Sequence, residues 1–585
     1  MRLPLLGMTQ SGFQWVADRV WKVEHAFERA NAASQKAQST RMRIFAILVG
    51  LSVGYLALMI FAGKASLLNS PAQIAEITGQ PGARAQLIDR NGQLLASDVN
   101  DYNLFVDPTD MTTQDRGFVR NALVHIFPDV STAQLDKVFG GQSRVLLVSN
   151  IKEADHDRIL DYGLPGISFE ATRVRDYPLA NTGGVYIGMT QRGGDGLSGA
   201  EKAFNTQIAG QAAADQPVQL AMDLRVQGAL ENELRAQAIA QQVQGAVGIV
   251  TNVRTGEVLA MASYPDFDLN HPGASDEGAK RNRAAVDRYE VGSIFKVISI
   301  ATGIDTGTAT LNSTYDGRQP LQLGTRLIHD EHSSSSLLTL TDVFIRSSNI
   351  GTSRVALDVG ADRMVKYYQA LGLFHHTDIE LGEPASPILP GRWSDNSLVS
   401  SAFGQAMAIT PLSYAEAAGA VLNGGCLRPL TIRKYDGHSP LPCNRVFKPE
   451  TSATMLELMR QNVLKGTGTR ANAPGLRVGG KTGTAQKPVG GHYTDDRISS
   501  FAAVFPTDGP VDSDRYLVLI MYDSPKGSAD SSGLKTGAFV AAPVAGRVID
   551  RIAPFLGVER KDDKFATPEW DKAPVKAEDV TGDEH

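Results

Sequence analysis

Between Ile44 and Gly63 the chain carries no charged residue, and this 20-residue apolar run constrains everything around it. At about 1.5 Å of helical rise per residue it matches the roughly 30 Å hydrocarbon layer of a bilayer. Arg41 and Arg43 flank its start, and the arm before it (residues 1–43) is basic, with Arg2, Arg19, Lys22, Arg29 and Lys36. The positive-inside rule then predicts a single-pass transmembrane helix over 44–63 with a cytoplasmic N-terminus. A cleaved signal peptide competes, because Ala62-Gly63-Lys64-Ala65 is rich in small residues, but the leader is too long and the apolar core too extended for one. In the arm, Phe13, Val16, Val20, Val23 and Phe27 recur at near-helical spacing: a short amphipathic helix on the membrane or a partner, or else a solvated tail.

Everything after Lys64 is then expected outside the cytoplasm. The full 585 residues exceed what one hydrophobic core normally serves, so at least two domains are expected. A net charge of -6 gives no basic field, which argues against nucleic acid as a partner. Residues 64–218 read as short strands and turns with two helices, near 114–127 and 132–139. Asn91-Gly92 between apolar runs predicts a hairpin over 85–96, and Tyr102 to Val106 a further strand. No residue there suggests catalysis, and a non-catalytic stalk is the expectation. The alternating charges and prolines of 559–585 predict a disordered tail.

Residues 219–558 have a different pattern. A helix over 224–242 leads into a strand pair, 245–253 and 257–263, and two more strands come late, at 498–505 and 516–522. Helix-rich chain separates them, so the fold class is α+β, with a central antiparallel sheet closed from sequence-distant pieces and flanked by helices.

In that helix-rich stretch, Ser293 stands three residues before Lys296 at the predicted start of an apolar helix. Positions i and i+3 share a face, so the lysine amine is expected to reach the serine hydroxyl and take its proton. A hydroxyl needs such a base near neutral pH, and the base must be partly neutral, through desolvation or a cationic neighbour. Ser-X-X-Lys alone is a common chance match, more often an ordinary helix start with Ser near the cap. Two further motifs follow: Ser347-Ser348-Asn349 and Lys481-Thr482-Gly483-Thr484. Each alone is ordinary turn chemistry. The three in this order form the signature of penicillin-binding proteins and serine β-lactamases.

On these motifs the chain resembles the class B penicillin-binding proteins, the monofunctional peptidoglycan transpeptidases, over most of its length. The resemblance includes Asp89-Arg90-Asn91-Gly92, Arg175-Asp176-Tyr177-Pro178, Gly199-Ala200-Glu201-Lys202-Ala203-Phe204 and Arg254-Thr255-Gly256-Glu257-Val258-Leu259-Ala260-Met261. Ser347-Ser348-Asn349 is similar to the cell-division members of the FtsI type; elongation-specific relatives usually carry aspartate in the middle. Lys481 to Lys487, Asp523-Ser524-Pro525-Lys526-Gly527 and Ala541-Ala542-Pro543-Val544 look like the same subgroup. Val291 stands where the family commonly has proline and Ile294 where threonine is usual, which changes packing around the serine rather than its chemistry.

The resemblance implies a stalk (pedestal) domain beneath a transpeptidase domain, acting in septal peptidoglycan cross-linking on the periplasmic face of the inner membrane. It implies that Ser293 attacks the carbonyl between the two D-alanines of a stem peptide, that Lys296 takes its proton, and that Ser347 relays it to the leaving amine. Asn349 would orient lysine and substrate, and Lys481, Thr482 and Thr484 would hold the terminal carboxylate. Thr482, Gly483 and Thr484 would line the oxyanion and substrate strand, with the Ser293 and Thr484 N–H groups as donors. No cofactor or metal is implied. The implied partners are stem peptides, β-lactams as covalent inhibitors, the membrane, a lipid-II-polymerising glycosyltransferase of the SEDS type and other division proteins.

Alternatives stay open at this point: an elongation-specific transpeptidase, a β-lactam sensor that does not turn over, or a β-lactamase or carboxypeptidase with water as acceptor. Gly475 to Thr482 also fits the P-loop spacing, but Ala473-Pro474 before it and Gly483 and Pro488 after it do not fit a strand-to-helix turn. His329, His332, His375 and His376 lack companion ligands at metal spacing. Cys426 and Cys443, the only cysteines, are expected to form a disulfide in an oxidising compartment, free thiols being the alternative.

Overall fold

The structure, a computed structural model, describes residues 83–561 apart from 192–193, 213, 332–333, 383 and 491, together with Lys22 and Gly50. The expected arm and transmembrane run, save those two residues, and positions 562–585 of the expected tail lie outside the described residues. Among the described residues no helix is long and apolar enough to cross a membrane.

The first part of the described chain is organised on one long strand. β1 (Leu87–Ile88) turns through Asn91-Gly92 into β2 (Leu94–Val106), the predicted hairpin, with Gly92 at φ +87 where a side chain would be strained. Helices α1 (Thr113–Ile126) and α2 (Thr132–Phe139) follow, then β3 (Val145–Ile151), α3 (Glu153–Leu160) and β4 (Ile167–Asp176). β2 pairs antiparallel with both β3 and β4. Its two halves serve two cores. Leu104 and Val106 pack with Val119, Leu123, Leu135 and Ile159 in a small core of their own. Leu95 and Ala96 instead join Leu87, Phe204, Ile208 and Leu220 in the large core that continues beneath the catalytic sheet. A short β5 (Val218–Gln219) runs parallel to β1 and leads directly into α4 (Leu224–Ala240).

Next come β6 (Gly245–Asn252), β7 (Val258–Tyr264), α5 (Lys296–Asp305), α6 (Asn349–Val359), α7 (Pro411–Leu422) and α8 (Pro449–Lys465). Strands β8 (Gly479–Val489), β9 (His492–Phe505) and β10 (Tyr516–Asp523) and helix α9 (Ala542–Ile552) follow, with shorter elements between them. The sheet order is β8-β9-β10-β6-β7, antiparallel throughout, so the late strands pair with the early ones as the sequence pattern predicts.

Both faces of this sheet are buried, and period-2 alternation divides its residues between them. Val250, Phe501, Ala503, Val518 and Ile520 face α4 and α9, meeting Leu230, Val544 and Val548. Val247, Ile249, Ala502, Leu517 and Leu519 face the other way, towards α5 and α7. Gly248 lets α4 lie close: a Cβ there would sit 2.7 Å from Leu230 Cδ1. The start of the expected disordered tail is tied down instead, because Lys561 N–H donates to Gly475 O and Arg560 pairs with Asp550. β7 is one sheet edge and β8 the other, and β8 lies beside the serine.

Candidate active site

Ser293 lies on a 3-10 turn, Gly292–Phe295, that runs without a break into α5. Apolar neighbours fix this turn: Val291, Ile294 and Phe295 are buried. Val291 and Ile294, the two unusual residues, also expose useful carbonyls. Val291 O accepts from Ser500 Oγ at 3.3 Å on β9, and Ile294 O from Tyr414 Oη at 2.9 Å on α7. Gly292 adopts φ +63 and its N–H donates to Gly404 O at 3.0 Å. A Cβ on Gly483 would lie 2.9 Å from Val291 O, and one on Gly292 3.0 Å from Thr484 O. Two glycines therefore let the turn lie directly against the edge strand.

Lys296, Ser347, Asn349, Lys481 and Thr482 form one hydrogen-bonded cluster, and the turn of Ser293 packs against Gly483 and Thr484, with one difference from the sequence expectation. Lys296 does not hydrogen-bond Ser293. Its Nζ donates to Ser347 O at 2.5 Å, Asn349 Oδ1 at 2.8 Å and Ser347 Oγ at 3.3 Å. The cause is the backbone of Ser347, whose φ of 60° turns its carbonyl towards the lysine and supplies a stronger acceptor than a serine hydroxyl. From the other side Lys481 Nζ donates to Ser347 Oγ at 2.8 Å and to Thr482 O at 3.0 Å. Two lysine amines thus converge on one hydroxyl.

Both amines are buried. Burial pushes Lys296 down to about 7, partly opposed by the charges of Asp330 and Glu331. Burial also pushes Lys481 well below the ordinary lysine range, and the neighbouring charge of Lys296 adds to it. Loss of solvation penalises each ammonium, and like charge penalises having both. The pair therefore holds a free lone pair near neutral pH, which a general base requires.

Several residues to which the sequence pattern gave no role in the site hold these groups. Asp330 accepts from Ser348 Oγ at 2.6 Å and from Ile350 N–H at 2.9 Å, fixing the first turn of α6, and His329 O accepts from Asn349 Nδ2 at 3.2 Å. Asn462, inside α8, donates to Gly480 O at 2.7 Å and accepts from Thr467 N–H at 3.1 Å, while Thr467 Oγ1 lies 2.7 Å from Thr482 Oγ1. Gly537 N–H donates to Thr484 Oγ1 at 3.1 Å, leaving the Thr484 proton free to point into the cleft. Glu290 accepts from Ala406 N–H and Tyr493 Oη, tying the β8–β9 hairpin to the turn. Their only available signal was polarity inside apolar segments, as with Asn462. Lys481 and Thr482 lie within strand β8, so the P-loop geometry, a lysine opening a helix, is absent.

A serine on a turn, a lysine base of lowered pKa and a second hydroxyl between two amines, beside the open edge of an antiparallel sheet, define a serine acyl-transfer enzyme. Residues 246–550 match the penicillin binding protein transpeptidase domain and residues 79–221 the penicillin-binding protein dimerisation domain. The chain belongs to the class B penicillin-binding proteins, the peptidoglycan D,D-transpeptidases. It is 46% identical over 557 residues to a Caulobacter vibrioides protein described as "Probable peptidoglycan D,D-transpeptidase FtsI", covering 94% of each chain. It is 28% identical to the peptidoglycan D,D-transpeptidase FtsI of Escherichia coli K12, over 82% of this chain and 84% of that one. Penicillin binding protein 3 of Mycobacterium tuberculosis, solved with aztreonam, shares the fold at a TM-score of 0.62 and 23% identity, over 84% of this chain and 98% of its own.

Proposed function

We propose that this transpeptidase cross-links septal peptidoglycan through an acyl-enzyme on Ser293. The convergence of Lys296 and Lys481 on Ser347 Oγ carries the reading. Neutral Lys296 takes the Ser293 proton as Oγ attacks the carbonyl of the penultimate D-alanine. The bond to the last D-alanine breaks, its nitrogen receives a proton through Ser347, and D-alanine leaves. The amine of a second stem peptide then attacks the ester carbonyl, gives up a proton along the same route and restores the Ser293 hydroxyl. Backbone N–H groups of Ser293 and Thr484 stabilise the oxyanion; losing one such donor costs on the order of 3 kcal/mol of barrier. Lys481, Thr482 and Thr484 hold the terminal carboxylate, while Gly483 lets the serine turn pack against the strand that carries them.

The apolar run 44–63 anchors the enzyme in the inner membrane with the N-terminus inside, residues 64–218 form the stalk, and 219–558 work in the periplasm. Partners on the stalk and anchor are a SEDS-type glycosyltransferase and other division proteins. β-Lactams acylate the same serine. Ser293→Ala is expected to abolish labelling by a fluorescent penicillin with the fold intact; persistent labelling refutes the nucleophile. Depletion in the host separates the division role, which gives filaments, from an elongation role, which gives round cells.

A further inference from the structure

Cys426 and Cys443 form a disulfide that closes a strap between α7 and α8. The middle of the strap joins two sheets. Ala221 N–H, just past β5, donates to Ile432 O at 2.8 Å, while Val258 N–H of β7 donates to Thr431 O at 2.9 Å and Thr431 N–H to Gly256 O at 3.0 Å. Backbone pairing thus runs unbroken from the catalytic sheet, through residues 431–433, to the stalk sheet. Side chains reinforce it: the Arg433 guanidinium stacks over Phe204, and Lys434 Nζ donates to Gln219 Oε1 at 3.2 Å.

The disulfide has unusual surroundings. Cys426 lies opposite Arg445 in a short antiparallel pair, and the same register carried on places Arg428 opposite Cys443. Arg428 Nη1 donates to Pro442 O, next to Cys443, while its buried Nε has no partner. Neither arginine has a carboxylate partner among the described residues; Arg445 donates to Gly424 O at 2.7 Å. Burial, with Arg254 and Arg445 adding like charge, pushes the Arg428 guanidinium down. Glu416 lines the same small cavity as Arg428, and Asp514 pairs with Arg254 rather than with either of these two arginines. Cys443 is exposed, whereas Cys426 is buried.

We propose that Cys426–Cys443 is a thiol–disulfide exchange site, open in the folded protein to a dithiol that can close its own ring disulfide, whose closure holds the strap joining stalk and catalytic sheets. A reductant thiolate attacks Sγ of the exposed residue Cys443, the S–S bond breaks, and its electron pair leaves on Sγ of Cys426, the residue paired with Arg445. The second reductant thiolate attacks its own sulfur in the mixed disulfide, closing the reductant's disulfide and releasing Cys443 as a thiolate. Two protons from the dithiol end on the two cysteines. Arginines without a carboxylate partner favour this step because cationic surroundings lower a leaving thiol's pKa, and a better leaving group departs faster. Opening the strap then removes the covalent closure from the rung at 431–433, not from the catalytic cleft.

The test uses the full chain in detergent, with dithiothreitol as the dithiol and no denaturant. Maleimide labelling read by mass spectrometry follows the two cysteines, near-UV circular dichroism follows the fold, and hydrogen exchange follows Ala221, Val258 and Thr431. We expect both thiols to appear while the dichroism is kept, exchange at those three amides to rise at least about tenfold with the centres of β6 and β10 unchanged, and Arg445→Gln to slow opening by about threefold, as expected for roughly one unit of leaving-thiol pKa. A disulfide that opens only in denaturant, loss of the dichroism on reduction, unchanged exchange at the three amides, or an unchanged rate in Arg445→Gln overturns the proposal.

Discussion

An ordinary lysine is neutral in roughly one molecule in 3,000 at pH 7, too few for an efficient base. Burial brings Lys296 to about 7, so about half of the molecules hold a free lone pair there. That displacement corresponds to a net penalty of about 5 kcal/mol on the ammonium, lost solvation less the opposing attraction of Asp330 and Glu331. Acylation should therefore rise about tenfold per pH unit below about 6 and level off above about 8. Stability should follow a related course. The folded-state pKa lies below the unfolded one, so the unfolded chain binds more protons between about 7 and 10.5, and stability rises with pH across that window. Below about 7 the full penalty applies. Stopped-flow measurement of the second-order rate of fluorescent-penicillin acylation from pH 5 to 9, with urea unfolding at each pH, tests both. A flat profile between pH 6 and 8, or a limb centred near 10, refutes the argument that burial makes Lys296 the base. Lys296→Arg, permanently charged, should leave no measurable acylation at any of these pH values.

Two further substitutions probe the supports of the site. In Gly537→Ala the new Cβ would sit 2.4 Å from both Gly483 O and Ser500 O, so the loop must retreat and release Thr484 Oγ1. The expected cost is about 1–3 kcal/mol of stability, with a larger loss of acylation for substrates bearing a free carboxylate than for their esters; an equal loss for both would refute the role given to Thr484. Tyr414→Phe strands the buried Ile294 carbonyl and should cost about 1–3 kcal/mol in urea melts while slowing acylation, since that carbonyl belongs to the turn holding Ser293.

Much of the sheet could be read from the sequence because its signals are local. Asn91-Gly92 announces a hairpin, and strands such as Tyr516–Asp523 are apolar runs bounded by turn residues. The motif residues were legible as chemistry, but their geometry was not. Helical spacing places Lys296 near Ser293, yet the lysine turns to the Ser347 carbonyl because a serine some fifty positions on adopts a left-handed backbone that its side chain does not announce. Asp330, Tyr414 and Gly537 matter only through contacts between chain-distant segments, and a single sequence gives those no period. The rung at 431–433 escaped notice for a related reason: too short for a strand pattern, it is defined only by the two edges it joins.

The left-handed Ser347 explains why the site needs so many supports. Such a backbone costs a non-glycine residue about 1–2 kcal/mol and persists only where the surroundings over-determine it. Here Ser347 N–H donates to Phe344 O, Ser348 Oγ is held by Asp330, and Ser347 Oγ and O together meet two lysines. Relaxing Ser347 to an ordinary helical backbone would swing its carbonyl away and leave the buried Lys296 with one fewer acceptor, where an unpaired ammonium is costly. A protonated lysine and the strained serine therefore stabilise each other. When Lys296 gives up its charge that mutual support weakens, and the amine becomes free to turn towards Ser293. The Ser293–Lys296 contact that proton transfer requires is then expected in the neutral form of the lysine.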